Sequence, residues 1–224
     1  SKSYFVTPAA YKKAQVDLKT GTSDLSLAAY LAEADIYADL ATGAGHVTVA
    51  PWDFSRVNPQ TFSRIRLAVE QGSRLRIEYR SMRTPEPHAR TVDPHSLIQA
   101  GRRWHMRGYC LETSDFRDFV LGRIAKITVL DQRSEHTVTD DSKWNAVVKV
   151  RIQAHPKLTP GQQDLVRSEY FDGTAVRVHS CRGAMLPYLV QELRLALDTT
   201  KEMPPEYQLA VENVKEVRKW LFPA

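Results

Sequence analysis

Residues 73–133 hold a series of short strand candidates separated by turns, and this series constrains the fold more than any other feature. Over residues 74–80, apolar Leu, Ile and Tyr alternate with Arg and Glu, which predicts a strand with one apolar and one charged face. Five more strand candidates follow, at 90–93, 96–99, 104–111, 116–121 and 124–130. Such spacing is typical of a small antiparallel barrel or a strongly bent sheet.

Helical patterns lie on both sides of these strands. The upstream candidates are a strand at 4–6, helices at 8–19 and 24–42, a strand at 47–49, and a helix that Asn58-Pro59 begins and Gly72 ends. The downstream candidates are strands at 147–152 and 175–179 and helices at 160–169, 185–197 and 206–221. This order suits an α+β module, separated from the strands by the polar stretch 131–142.

Several classes of protein are excluded by composition. No apolar run reaches the roughly 18–20 residues that cross a bilayer, and the first residues lack the apolar core of a signal peptide. Two cysteines, Cys110 and Cys181, form neither a disulfide framework nor a CxxC zinc site. We therefore expect a cytoplasmic protein that has no membrane partner.

The sequence offers no set of catalytic residues. It lacks the glycine-rich phosphate loops, the nucleophile elbow and the HExxH zinc motif, and its seven histidines are scattered. Two acidic pairs, Asp115/Asp118 and Asp140/Asp141, have no neighbours in sequence that would make them general acids, and we interpret them as turn residues. The prediction is a protein that is not an enzyme and needs no cofactor or metal.

Positive charge is concentrated in the strand-rich segment. Residues 64–133 contain 13 Arg and 1 Lys against 8 acidic residues, a surplus of +6 in a chain whose net charge is +5. Arginine binds phosphate and carboxylate groups through a planar fork of donors, which a lysine lacks. The excess indicates an acidic or phosphorylated ligand, with a solvated basic surface as the alternative.

Aromatic residues lie among these arginines. Tyr79, Trp104 and Tyr109 are accompanied by Arg80, Arg90, Arg103, Arg107, Arg117 and Arg123. Aromatic faces stack on bases and arginines hold phosphates, a combination found in proteins that bind nucleotides or single strands. A core position is the alternative for Tyr79 and Trp104. Arg123 is the most informative arginine, because a charge between apolar Leu121 and Ile124 is costly unless it is paired or reaches a ligand.

Four blocks of sequence together resemble a known family. They are Ile-Glu-Tyr-Arg-Ser-Met at 77–82, Pro-His-Ser-Leu at 94–97, Gly-Arg-Arg-Trp-His-Met-Arg-Gly-Tyr-Cys at 101–110 and Phe-Arg-Asp-Phe-Val-Leu-Gly-Arg-Ile at 116–124. In order and spacing they resemble a WYL domain, with Trp104-His105-Met106 in place of the Trp-Tyr-Leu signature. This variant resembles the one in dimeric repressors of phage-defence operons.

The resemblance implies a fold and a domain order. WYL domains are Sm-like, SH3-type β-barrels that sense ligands in bacterial transcription regulators, between an N-terminal winged helix-turn-helix and a dimerising C-terminal extension. By this resemblance, the chain is α+β. Residues 1–72 are the end of a wing strand and a helical linker, 73–133 the barrel, and 143–224 the dimerisation extension. The winged helix-turn-helix that binds operator DNA would lie mostly upstream.

The resemblance also implies a ligand-binding site. The ligand would be a nucleotide or a short nucleic acid, and the family's pocket maps onto Tyr79, Ser81, His95, Trp104, Arg107, Arg117 and Arg123. The first hypothesis is therefore the sensing and dimerising part of a homodimeric regulator, more specifically a repressor. A module that binds single-stranded nucleic acid without regulating transcription is the alternative.

Overall fold

The computed structural model describes residues 57–222. The strands and helices predicted before residue 57 lie outside the described residues. Within them, no helix is both long and apolar enough to cross a membrane.

Helix α1 spans Pro59–Gln71 and begins and ends where the sequence predicts. The Asn58 side chain accepts hydrogen bonds from two amides of the first turn, and Pro59 occupies a position that needs no amide donor. Gly72 ends the helix with a φ of 63°, a left-handed conformation that glycine adopts at little cost. Ile65 and Ala68 are buried on the side of the helix that packs against the first sheet.

The first sheet is antiparallel and has five strands in the order β4-β3-β2-β1-β5. Its strands are β1 Ser73–Tyr79, β2 His88–Ala100, β3 Arg103–Cys110, β4 Asp115–Val120 and β5 Ile124–Arg133. The sequence predicted two strands in place of β2. Instead, one strand of 13 residues continues through an irregularity between Pro94 and Ser96, which leaves His95 without a partner on β3.

The first sheet is strongly curled. In a flat sheet, β4 and β5 would lie about 19 Å apart, four strand spacings of about 4.8 Å. The chain crosses from Val120 to Ile124 through one 3-10 turn, a link of four residue steps that reaches about 14 Å at most. The sheet must therefore bend, as the short strands predict. The fully closed Sm-like barrel is not observed, because the hydrogen-bonded order of the described strands ends at β4 and β5.

The two faces of this sheet differ in chemistry. One face and α1 form an apolar core that includes Leu75, Ile77, Val92, Met106 and Phe119. The opposite face of β2, β3 and β4 presents Asp93, Arg107 and Asp118. Because Asp93 and Arg107 are also buried, other segments must cover this polar face and satisfy its charges.

The second sheet has four strands in the order β7-β6-β9-β8. They are β6 Val147–Ala154, β7 Val176–Arg182, β8 Leu195–Ala196 and β9 Leu209–Val211. The helices of this part are α3 Pro160–Tyr170, α4 Leu186–Glu192 and α5 Val214–Val217. Alternating apolar residues of β6 lie in a second core together with Val166 of α3 and Leu186 of α4.

Two helix predictions in this part are wrong. The helix predicted at 185–197 ends at Glu192, and Leu195–Ala196 form β8 instead. The helix predicted at 206–221 is replaced by β9, by α5 and by a 3-10 turn at Arg218–Trp220. Leu209, Ala210 and Val211 are all buried, and a short run that is apolar on every side fits a central strand better than a one-sided helix.

A structured connector, residues 134–146, joins the two sheets. It contains a 3-10 turn at Val138–Asp140 and the short helix α2, Ser142–Asn145. The Thr137 and Asp140 side chains cap the turn, and the Asn145 side-chain amide donates to the carbonyls of Val138 and Thr139. The connector contacts the polar face of the first sheet.

Candidate functional site

Arg107 lies at the centre of the polar face and bridges two carboxylates. Its Nε and Nη2 donate to the two oxygens of Asp141 at 2.6 and 3.0 Å, and its Nη1 donates to Asp118 at 2.9 Å. Asp118 lies opposite Arg107 on β4, whereas Asp141 belongs to the connector. Because Arg107 is 3% exposed, these paired contacts form in a region with little water, where ion pairs are strong and unpaired charges costly.

Asp141 holds several groups of the connector and the sheet in place. It caps α2 by accepting a hydrogen bond from the amide of Trp144 at 3.0 Å, in addition to its contacts with Arg107. Burial alone would raise the pKa of its carboxyl, but the hydrogen bonds from Arg107 and Trp144 outweigh burial and lower that pKa. Asp141 is therefore ionised at neutral pH.

His95 lies beside this ion pair. Its Nε2 is 3.1 Å from Asp141, its Nδ1 is 2.9 Å from the Ser96 hydroxyl, and its ring makes edge contacts with Phe116 and Trp144. Burial lowers the pKa of His95 despite the nearby carboxylate. His95 is therefore neutral at pH 7 and acts here as a hydrogen-bonding group.

The second half of the chain reaches the same face through α4. The Tyr188 hydroxyl donates at 2.8 Å to Oδ2 of Asp118, the oxygen that does not accept from Arg107. The Tyr188 ring packs on His105, with the two ring centroids 5.0 Å apart. Burial and the nearby Asp118 carboxylate raise the pKa of Tyr188 well above its ordinary value, so this hydroxyl remains a donor. Asp118 thus joins β4, β3 and α4.

His105 has an unsatisfied ring nitrogen. It is 5% exposed, and its Nδ1 has no hydrogen-bond partner among residues 57–222. Burial lowers its pKa, and the positive charges of Arg103 and Arg123 lower it further, while Asp118 opposes them. Neither arginine forms an ion pair with another described residue. Two uncompensated guanidinium groups therefore lie near a buried donor or acceptor that lacks a partner.

A second ion pair lies at the other end of this face. Asp93, fully buried, accepts from Arg74 at 2.7 and 3.0 Å and from the amides of Glu135 and His136 at 3.1 Å. The His136 ring is stacked on Tyr109, with centroids 3.6 Å apart and planes 10° from parallel. These contacts hold the start of the connector on the sheet and satisfy the Asp93 carboxylate.

The predicted site residues do not form one cluster. His95 and Arg107 share the network around Asp141, and Arg123 lies near His105. Tyr79 and Trp104 are on the core side: Tyr79 is 7% exposed with its hydroxyl accepting from the Val120 amide, and Trp104 packs edge-on against Phe62. The remaining positions are the Ser81 hydroxyl, which accepts from the Thr84 amide in a turn, and the exposed side chain of Arg117 on β4.

The interpretation of Asp118 as a turn residue is wrong, because Asp118 lies within β4 and binds Arg107. Asp141 does lie between the 3-10 turn and α2, but its carboxylate also binds Arg107, a contact that was not predicted. Sequence reasoning gave no role to Tyr188, and it did not include His105 among the ligand contacts, although His105 occupies the middle of the signature. The alternation of β3 is a signal that would have found His105, because it places Arg103, His105 and Arg107 on one face.

The site offers no metal-binding arrangement. Among the described residues, no group of three or more His, Cys, Asp or Glu side chains is placed to hold a metal ion. The chemistry that the geometry supports is recognition of an anion by arginines, next to aromatic and imidazole rings.

Two family models match the chain on either side of the connector. Residues 60–129 match the WYL domain, and residues 147–217 match the C-terminal dimerization domain of the BrxR transcriptional regulator. The chain is a WYL-domain protein with a BrxR-type dimerization domain. The WYL domain comprises α1 and the curled sheet, and the dimerization domain comprises the second sheet with α3, α4 and α5.

Relatives of the chain are named DNA-binding transcriptional repressor CapW. The protein from Escherichia coli (strain KTE188) is 33% identical over 174 residues, which cover 76% of this chain and 57% of the relative. The CapW protein from Pseudomonas aeruginosa is 34% identical over 164 residues, which cover 73% of this chain and 54% of the relative. The CapW protein from Stenotrophomonas maltophilia is 35% identical over 156 residues, which cover 69% of this chain and 52% of the relative. The chain thus spans little more than half the length of these relatives.

Proposed function

We propose that this WYL-domain protein is the ligand-sensing and dimerising part of a bacterial transcriptional repressor. Its ligand is a nucleotide or a short nucleic acid that binds to the WYL domain and changes the affinity of the repressor for operator DNA. The names of the CapW relatives and the match to a dimerization domain support the repressor and the homodimer. Control of a phage-defence operon is part of the same proposal, as is action in the cytoplasm.

The choice of an anionic ligand rests on two arginines beside His105. Arg103 and Arg123 lie close enough to His105 to lower its pKa, and neither is paired with a carboxylate among residues 57–222. Since uncompensated guanidinium groups beside a buried ring favour an anion, the phosphates of the ligand would bind here. Tyr79, Ser81, His95, Trp104, Arg107 and Arg117 remain the other proposed contacts, and Arg103 and His105 are added.

Operator DNA would be bound through a winged helix-turn-helix, since the relatives are named as DNA-binding. Ligand binding shifts DNA affinity only if the ligand binds one state of the dimer more tightly than the other. No residue of the site is proposed to act in catalysis.

A thermal-shift titration tests the ligand. The panel contains mononucleotides, cyclic di- and trinucleotides, and short single-stranded DNA and RNA. The proteins are the wild type, Arg123→Ala and Arg218→Ala, the last being an exposed arginine of the dimerization domain that serves as a control. A ligand at a hundred times its dissociation constant adds about 2.7 kcal/mol of stability, which is readily seen as a melting shift.

The expected result is a shift that Arg123→Ala loses and Arg218→Ala keeps. A shift that all three proteins share would place the ligand elsewhere. The absence of a shift with every compound would contradict the nucleotide ligand. A gel shift with operator DNA, using protein that carries the proposed winged helix-turn-helix, then separates the two hypotheses. The alternative, single-strand binding without regulation, predicts no sequence-specific binding to duplex DNA.

A further inference from the structure

Arg107 is a predicted ligand contact, yet its guanidinium is already occupied. The Asp141 carboxylate receives two parallel hydrogen bonds from Nε and Nη2, at 2.6 and 3.0 Å, and Asp118 receives a third. This two-point geometry is the one with which an arginine also binds a phosphate. A phosphate and the Asp141 carboxylate therefore cannot bind the same edge of Arg107 at the same time.

Asp141 is attached to the part of the chain that joins the two domains. It caps α2 in the connector, and the next aromatic residue, Trp144, contacts both His95 of the WYL domain and Arg182 of β7. The guanidinium carbon of Arg182 lies 4.8 Å from the centre of a Trp144 ring, a cation–π distance. If Asp141 left Arg107, this chain of contacts into the dimerization domain would lose its ion pair with the sheet, and only the His95–Trp144 ring contact and the Asp93 contacts with residues 135 and 136 would remain.

The charge of the network is consistent with exchange. His95 is neutral and two carboxylates contact the single guanidinium of Arg107, so the group of these side chains contains one more negative charge than positive charge. Arg103 on β3 and Arg123 in the turn after β4 have no carboxylate partner among the described residues. An incoming anion is attracted to Arg103 and Arg123 and competes with Asp141 for Arg107.

We propose that Asp141 is a built-in competitor of the ligand. In the ligand-free protein its carboxylate occupies Arg107 and keeps the connector on the WYL domain. A phosphate of the ligand displaces it, which releases the part of the connector around α2 and changes how the dimerization domain is held, while Asp93 still holds residues 135 and 136. This inference rests on the proposed function, because it requires an anionic ligand at the WYL domain.

The inference predicts that removing the charge of Asp141 strengthens ligand binding. Asp141→Asn keeps the size of the side chain and the helix cap, since Asn caps helices as well as Asp does. If Asp141 occupies Arg107 in about nine of ten ligand-free molecules, the substitution should tighten binding about tenfold. The control is Asp140→Asn, which removes the same charge from the neighbouring residue, whose exposed side chain bonds within the connector rather than to Arg107.

The probe is an end-labelled thymidine decamer, and its binding to the full chain is measured by fluorescence anisotropy. Hydrogen exchange of residues 134–146 is followed in the same proteins with and without the probe. The expected results are tighter binding by Asp141→Asn only, and faster exchange of the connector when wild-type protein binds the probe. Asp118→Asn is a second variant, which removes the other carboxylate and leaves Asp141 in place, and a smaller gain in affinity is expected for it.

The possible failures are distinguishable. Equal binding by the wild type, Asp141→Asn and Asp140→Asn would show that Asp141 does not compete with the ligand for Arg107. The proposed function would not be affected by that result. Weaker binding by a folded Asp141→Asn would show that Asp141 supports the ligand site, and would also overturn the inference. If none of the proteins binds the decamer, the proposed nucleic-acid ligand fails and the inference fails with it.

Discussion

Replacing Arg107 with alanine is expected to destabilise the WYL domain strongly. The substitution leaves Asp118 and Asp141 without their shared guanidinium, and both carboxylate side chains are at most 10% exposed. Tyr188, His95 and the Trp144 amide continue to donate hydrogen bonds or offer polar contacts, but none of them carries a full positive charge at neutral pH.

The magnitude follows from the cost of a buried unpaired charge. Removing one partner of a buried ion pair costs about 3–5 kcal/mol. In a domain of about 150–250 residues, each kcal/mol lowers the melting temperature by about 2–4 °C, so a fall of about 6–20 °C is expected. The matched control is Arg117→Ala on the neighbouring strand, an exposed arginine whose loss should change stability by about 0.5 kcal/mol at most.

Denaturation of the two variants and the wild type, by heat and by urea, measures the effect. The pH dependence of Arg107→Ala gives a further check. Without the guanidinium, burial raises the pKa of the Asp141 carboxyl, so this group takes up a proton on folding and the loss of stability becomes smaller as the pH falls from 8 to 5. If Arg107→Ala melts within about 2 °C of Arg117→Ala, the buried network is not a source of stability, and the argument from burial is refuted.

Two other predictions concern the same sheet. A β-carbon on Gly108 would lie 2.5 Å from the carbonyl oxygen of Asp93, so Gly108→Ala should lower the free energy of unfolding by about 1–3 kcal/mol or more. Gly161→Ala is the control, because no atom lies within 4 Å of its new β-carbon and no such loss is expected. Urea denaturation of both variants measures the difference, and equal midpoints would contradict it. Burial lowers the pKa of His95 and His105 in the folded state, so their contribution to stability is present above about pH 6.5 and is lost as the pH falls through the folded pKa. The melting temperature should therefore fall between pH 7 and pH 5, and an unchanged or higher value at pH 5 would contradict this.

Local signals predicted much of the fold. The cap at Asn58 and the proline after it define the start of α1, and Gly72 defines its end, so signals close to each end were enough to predict this helix. Alternation of apolar and polar residues likewise predicted β1 and β6, because a strand exposes its two faces in turn whatever lies around it. The sequence resemblance to a WYL domain agrees with the family match over residues 60–129.

Contacts between residues that are far apart in the sequence could not be predicted from local patterns. Asp141 is 34 residues from Arg107 in sequence, and an acidic pair followed by Ser reads locally as a turn. The prediction of a final helix was wrong for a related reason. The run 209–211 is only three residues long, and its place in the centre of a sheet depends on strands that lie elsewhere in the sequence. Its partners are β8, 14 residues upstream, and β6, more than fifty residues upstream. The missing information was in each case which segment covers which face.

The structured connector has a practical consequence for engineering this chain. Linkers between domains usually tolerate inserted sequence, because they run through solvent with few contacts. Residues 134–146 do not have that freedom, since buried carboxylates hold them at both ends. A fluorescent tag or a chain break there would disturb both domains. The turn between β1 and β2 is a better position, because Met82 at its tip is 81% exposed and its neighbours 83–87 are exposed as well.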